Sequence, residues 1–212
     1  MRTRRVLGIL LGVLLLVGLV SPALAVERQT RSRSLNAFWY SYETLGPNTF
    51  RQTTWYVGAF ASSGRFGGTW SDLYQSVDLC RETRRGTVCE NEYFAIGFKE
   101  LTRDEFFIDE RRLATGWIDA TYDLETYHAY SGEPEPGPAV PTHILATFEG
   151  VGPIETSKET FVYEDENFIF RFTFQGAFRT AESYGWIDGV SIGETYDAYM
   201  SLSTSTEQKQ KV

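Results

Sequence analysis

Three pairs of acids stand at matched places in this chain: Glu43 with Glu149, Asp119 with Asp188, and Glu125 with Glu194. Two carboxylates flanking a sugar are the machinery of glycoside hydrolysis, one acting as acid and the other as base or nucleophile. Asp119 and Asp188 each follow a tryptophan, Trp117 and Trp186, at two residues' distance. In a strand that spacing puts ring and carboxylate on one face, an arrangement that can also hold a sugar without cleaving it. A chain with 28 acids offers such pairs freely, so pairing alone assigns no activity.

Other catalytic chemistry is thin. His128 and His143 are the only histidines, and their spacing matches no metal motif. No Gly-x-Ser-x-Gly elbow of the serine-hydrolase type occurs. The glycine-rich Ser63 to Gly68 stretch lacks the Lys-Ser/Thr ending of a phosphate loop. Cys80 and Cys89 are the only thiols, and in an oxidising compartment such a pair reads as a disulfide. Two thiols without a nearby histidine cannot complete a zinc shell. Glu164 to Asn167 (EDEN) is an acidic turn suited at most to weak calcium binding, because it lacks the ligand spacing and glycine of a dedicated loop. No catalytic residue, metal ligand or cofactor is assigned.

The chain repeats itself. Gly116 to Tyr130 (GWIDATYDLETYHAY) and Gly185 to Tyr199 (GWIDGVSIGETYDAY) agree at nine of fifteen positions. Tyr42 to Pro47 is echoed by Phe148 to Pro153, and Thr54-Trp55 by Thr160-Phe161. This order implies two duplicated halves, 36–130 and 142–199, joined by the proline-rich linker 131–141. Half one carries a disulfide-containing insertion at about 58–103. Residues kept in both copies are read as structural, with Trp and Ile in the core and Asp as a turn former. Residues where the halves differ are better candidates for recognition. Trp70, Tyr74, Arg81, Arg84 and Arg85, all in the insertion, are therefore the expected partner-binding residues, since loops on a rigid scaffold commonly carry binding.

The elements that position these residues repeat with period two. Phe168, Phe170, Phe172 and Phe174 alternate with Ile169, Arg171, Thr173 and Gln175. Phe94, Ile96 and Phe98 alternate with Ala95, Gly97 and Lys99, and Ile118 to Leu124 behaves likewise. Such runs are half-buried strands. Asp188-Gly189 marks a two-residue hairpin, and Glu164 to Asn167 a turn before the phenylalanine strand. The predicted fold is all-β, an antiparallel sandwich or barrel of roughly ten strands.

Arg2, Arg4 and Arg5, the apolar run Val6 to Val20, and Ala23-Leu24-Ala25 form a secretory signal peptide over residues 1–25. A single all-β domain is expected over 26–202 and a disordered tail over 203–212, with no membrane span in the mature form. The full chain carries a net charge of −8, and the leader removes only arginines. So acidic a protein binds nucleic acid poorly. The expected function is that of a binding or structural protein in the extracellular space or periplasm, with a cell-surface glycan or protein as partner. The alternative is a glycoside hydrolase using a carboxylate pair. Assembly would be signalled by an unpaired edge strand or by a docking N-terminal arm, Val26 to Ser34.

Overall fold

A computed structural model describes residues 26–63, 67–129, 131–135 and 137–211. The expected leader lies outside the described residues. These form eleven strands: β1 (Val26–Gly46), β2 (Thr49–Ser62), β3 (Gly68–Thr83), β4 (Gly86–Glu100), β5 (Phe106–Ile108), β6 (Thr115–His128), β7 (Val140–Gly150), β8 (Glu155–Glu164), β9 (Phe168–Ile187), β10 (Val190–Ser191) and β11 (Glu194–Lys211). The fold is all-β and antiparallel, as the period-two pattern predicts.

Two compact units are present instead of the single domain expected for 26–202. One comprises 30–157 and 175–204; the other comprises 26–29, 158–174 and 205–211. The division falls within β1, β8, β9 and β11, and no residue of 158–174 belongs to the buried core. The stretch 203–211 is strand and not a loose tail. Its polar sequence gives no apolar alternation, but ladder formation needs only backbone groups and a neighbour. β11 has one on each side, β9 and β1.

In the larger unit the strands close on themselves. β9, β11, β1, β2, β3, β4, β6 and β7 pair in turn, and β7 pairs back to β9. Eight strands thus make a barrel, and closure removes the open edges that a flat sheet would expose. A barrel of this size has a bore just wide enough for side chains to fill. The bore holds Leu35, Trp39, Val57, Leu73, Ile118, Tyr122, Ile144, Phe148 and Met200, all essentially sealed from solvent. Small residues share the space, among them Ala37, Ala59, Ala120 and Ala146. An apolar interior is the reverse of a lipid-spanning barrel, whose lumen is polar. Among the described residues no helix is long and apolar enough to cross a membrane.

The narrow bore decides which face of each strand turns inward. On β4 the small Ala95 and Gly97 face in, while Phe98 faces solvent. A Cβ on Gly97 would stand 3.0 Å from both the Asp123 carbonyl oxygen and Leu124 Cδ2, tighter than an ordinary contact. The repeated peptides obey the same rule. Ile118 is core as expected, but Trp117 and Trp186 are half-exposed on the outer wall. Both peptides enter strands that flank β7, with Gly116 opposite Phe148 and Gly185 opposite Ala146. They part at the aspartate. β6 runs straight on, whereas Asp188 and Gly189 adopt positive φ (49° and 82°) and turn the chain into β10. Cys80 and Cys89 lie directly opposite each other on β3 and β4 and form the disulfide.

Two stability predictions follow from the packing. Ile144→Ala opens a cavity in the bore and should cost about 2–5 kcal/mol in denaturant unfolding. Removing the disulfide frees only a short hairpin loop, so Cys80→Ser with Cys89→Ser should cost at most about 3 kcal/mol in the same assay.

Candidate functional site

Alternation on β3 sorts its side chains cleanly. Ser71 and Leu73 point into the bore and are buried; Trp70, Asp72 and Tyr74 lie on the outer face. The register sets Phe60, Gly58 and Tyr56 of β2 opposite these three in turn. Phe98 of β4 stands opposite Asp72, and Asn36 of β1 opposite Gly58. Phe60, Trp70 and Phe98 are 45%, 44% and 75% exposed. Three large rings thus open to solvent around one carboxylate.

Two glycines shape this surface. A Cβ on Gly58 would stand 2.9 Å from Asp72 Oδ1 and would collide with the Tyr56 hydroxyl, so both polar groups lie over bare backbone. A Cβ on Gly68 would stand 2.6 Å from Trp70 Cζ2, because the indole occupies that space. The Tyr56 hydroxyl donates to Asn36 Oδ1 at 2.8 Å, and Phe38 packs on the Tyr56 ring with centroids 4.6 Å apart. The aromatic surface continues through Tyr74, Phe94 and Tyr127, at centroid separations of 6.0 and 5.3 Å.

Burial sets the electrostatics. Desolvation raises the Asp72 carboxyl above its ordinary pKa, against the opposing pull of a backbone hydrogen bond. Burial, with the negative charge of Asp72 next in weight, pushes Tyr56 up to about 12. On the inner side of β3, Ser71 donates to the Gly58 carbonyl at 2.6 Å, so the Tyr122 hydroxyl donates in turn to Ser71. Burial pushes Tyr122 to about 12 as well. The backbone beneath Asp72 is therefore anchored from within the barrel.

The sequence-derived candidates separate into two groups. Trp70 and Tyr74 flank Asp72 on this face. Arg81, Arg84 and Arg85 lie at the far end of the β3–β4 hairpin. Arg81 is about 35 Å from Trp70 at strand rise. The arginine tip is exposed and shaped by Thr83, whose Oγ1 accepts from Arg85 N at 3.2 Å and donates to the Gly86 carbonyl at 2.7 Å. Asp72, Tyr56 and Asn36 were not singled out from the sequence. The alternation Trp70-Ser71-Asp72-Leu73-Tyr74 carried the signal for Asp72.

Of the matched acids, Glu43, Asp119, Glu125, Glu149 and Asp188 are exposed. Glu43 accepts from Arg51 at 2.9 Å, and Glu125 from the Tyr127 hydroxyl at 2.8 Å. Asp119 meets His143 Nε2 at 2.7 Å, while Asp188 Oδ1 accepts from the His143 backbone N–H at 3.0 Å. The two aspartates thus bind one residue between them, and both are exposed. The side chain of Glu194 is outside the described set. In the acidic turn, Asp165 Oδ1 accepts from Asn167 N at 3.1 Å and so caps its own loop. Among the described residues no three metal-ligating side chains gather.

No protein-family model matches this chain, and no curated protein or solved structure matches it either.

The shifted groups predict two pH effects. In a spectrophotometric titration Tyr56 and Tyr122 should ionise near pH 12, after a tyrosine of ordinary pKa 10.0. Since folding raises their pKa, the stability they contribute is whole below pH 10 and is lost as pH climbs through about 12. Asp72 acts at the acid end. Its raised pKa means that the fold binds its proton more tightly, so stability falls as pH rises from 3.8 through the folded value. Asp72→Asn should raise the thermal midpoint at neutral pH and leave it unchanged where the carboxyl is already protonated.

Proposed function

We propose that this is a secreted, non-catalytic binding module that takes a glycan on the outer face of β1 to β4. The observation that carries this reading is the set of exposed rings, Phe60, Trp70 and Phe98, around the half-buried Asp72. The apolar C–H face of a sugar stacks on an aromatic plate, and its hydroxyls are donors for a carboxylate. Asn36 and Tyr56 add polar groups beside it. A ligand hydroxyl donating to Asp72 would restore part of the hydration that burial removes, which links the perturbed acid to binding. The outer aromatic face also suits a site on a rigid scaffold, because every residue in it sits on a barrel strand.

Secretion is supported by the leader pattern and by the disulfide, which persists in oxidising compartments. The two GWID peptides, each flanking β7, support descent from one copied module. A second reading, glycoside hydrolysis, draws on a different observation: Asp119 and Asp188 converge on His143, each two residues after a tryptophan, Trp117 or Trp186.

A broad glycan screen followed by calorimetric titration distinguishes these readings. Trp70→Ala and Phe98→Ala should each weaken the bound glycan about tenfold or more, as loss of an aromatic anchor does, while unfolding stays unchanged. Arg84→Ala with Arg85→Ala should bind normally. If no glycan binds, or if deletion of Arg81 to Val88 abolishes binding while Trp70→Ala does not, the proposal fails. Release of reducing sugar, lost in Asp119→Asn, would replace it with the hydrolase.

A further inference from the structure

The smaller unit carries an edge that closure does not protect. Among the described residues β8 has one strand neighbour, β9, and all ten of its residues are exposed. Its C-terminal half carries Phe161-Val162-Tyr163, at 60%, 56% and 59% exposure. Free edges of this kind pair readily with other chains, and proteins ordinarily blunt them with proline, bulges or charged side chains, lysine above all. β8 has no proline, and of its four charged residues, Glu155, Lys158, Glu159 and Glu164, one is a lysine.

The two faces of the β8–β9 hairpin are distinct. Phe161 packs on Phe172 and Tyr163 on Phe168, with centroids 6.4 and 6.0 Å apart. Thr160 Oγ1 meets Thr173 Oγ1 at 3.3 Å on the opposite face. Lys158, Val162 and Glu164 share the Thr160 face by strand alternation. Lys209 lies over the Phe168 ring at 4.5 Å, on the aromatic side.

We propose that β8 is the surface through which two copies of this chain join, edge to edge and antiparallel, about a two-fold axis at Phe161. The occupant follows from the strand's own charges. A two-fold axis normal to the sheet keeps each face on its own side, so residues of like parity stand opposite. Lys158 can then oppose only one acid of β8, Glu164, because Glu155 and Glu159 have the other parity. That single register sets Phe161 against its twin, Thr160 against Val162, and Glu159 against Tyr163. Lys158 meets Glu164 twice, once at each end. Moving the axis to Thr160 leaves both charges without a partner, and moving it to Val162 sets Glu164 against Thr160 and carries Lys158 past the end of β8 to the turn residue Glu166. Opposite charges directly across a ladder stabilise pairing, and like charges oppose it. The main-chain bonds of the added strand supply affinity, as in other edge-pairing complexes.

Sedimentation equilibrium on the purified protein over a wide concentration range tests this surface. A reversible dimer is expected. Lys158→Glu alone, or Glu164→Lys alone, should raise its dissociation constant about tenfold or more, because each change creates two like-charge contacts at once. Lys158→Glu combined with Glu164→Lys should restore the original value. Both positions are exposed, and unchanged thermal unfolding would confirm that each variant is folded. A monomer at every concentration, whether or not it binds phosphatidylcholine vesicles through its rings, overturns the proposal. So does a dimer indifferent to the single charge reversals. The glycan screen reads a different unit, so failure of either proposal leaves the other intact.

Discussion

The constraint on which the larger unit depends is the width of its bore. Eight strands that pair in a closed ring leave space for one layer of side chains and little else. Close packing then demands that each large inward residue be met by small ones. Trp39 shows the bargain directly. It is fully buried, and its Cε2 would stand 3.0 Å from a Cβ on Gly185, where Ile192 already presses at 2.7 Å. Its indole N–H finds the Ser183 carbonyl at 3.3 Å, so the one polar atom of the ring is satisfied. Glycine at 185 is a packing requirement, as it is at 97.

From that constraint comes the character of the outer wall. This chain has 15 phenylalanines, 12 tyrosines and 5 tryptophans, far more ring volume than the bore accepts. The surplus faces outward, where rings on neighbouring strands stack in rows such as Tyr74, Phe94 and Tyr127. Asp72 sits within this belt. Rings that shield its carboxylate from water make the ionised form costly. A protein keeps such a charge at a loss to stability, and sites of this kind concentrate where ligands bind.

Much of the architecture was legible from period alone, because side chains alternate across a strand whatever surrounds it. The Asp188-Gly189 turn was legible too, since positive φ at two successive residues selects Asp-Gly. What alternation cannot tell is which face is the inner one when both are apolar. Phe94, Ile96 and Phe98 look like the buried set against Ala95 and Gly97, yet the bore takes the smaller pair. Trp117 and Trp186 misled for the same reason: hydrophobicity predicts burial, but here volume overrules it. Asp72 belongs to no repeated pair, and its one mark in the sequence is its place between Trp70 and Tyr74 in the strand alternation. The strand at 203–211 left no apolar trace because its order comes from backbone pairing.

The two GWID peptides show how little separates a straight wall from a turn. Through Gly-Trp-Ile both segments run in strand beside β7, and at the shared aspartate they part: Asp119 stays in register opposite Leu145, while Asp188 adopts φ 49°. The fifth residue is Ala120 in one and Gly189 in the other. Ala120 is buried in the bore, and its methyl group fills space that the core needs. Gly189 adopts φ 82°, a conformation that costs an alanine roughly 1–2 kcal/mol. Asp188 then bends back to cap His143 N, while Asp119, still in strand, reaches the imidazole of the same residue. A shared peptide thus serves two uses, as a stave of the barrel and as the corner where β9 leaves it, and the glycine that follows the aspartate in the second copy suits the turn.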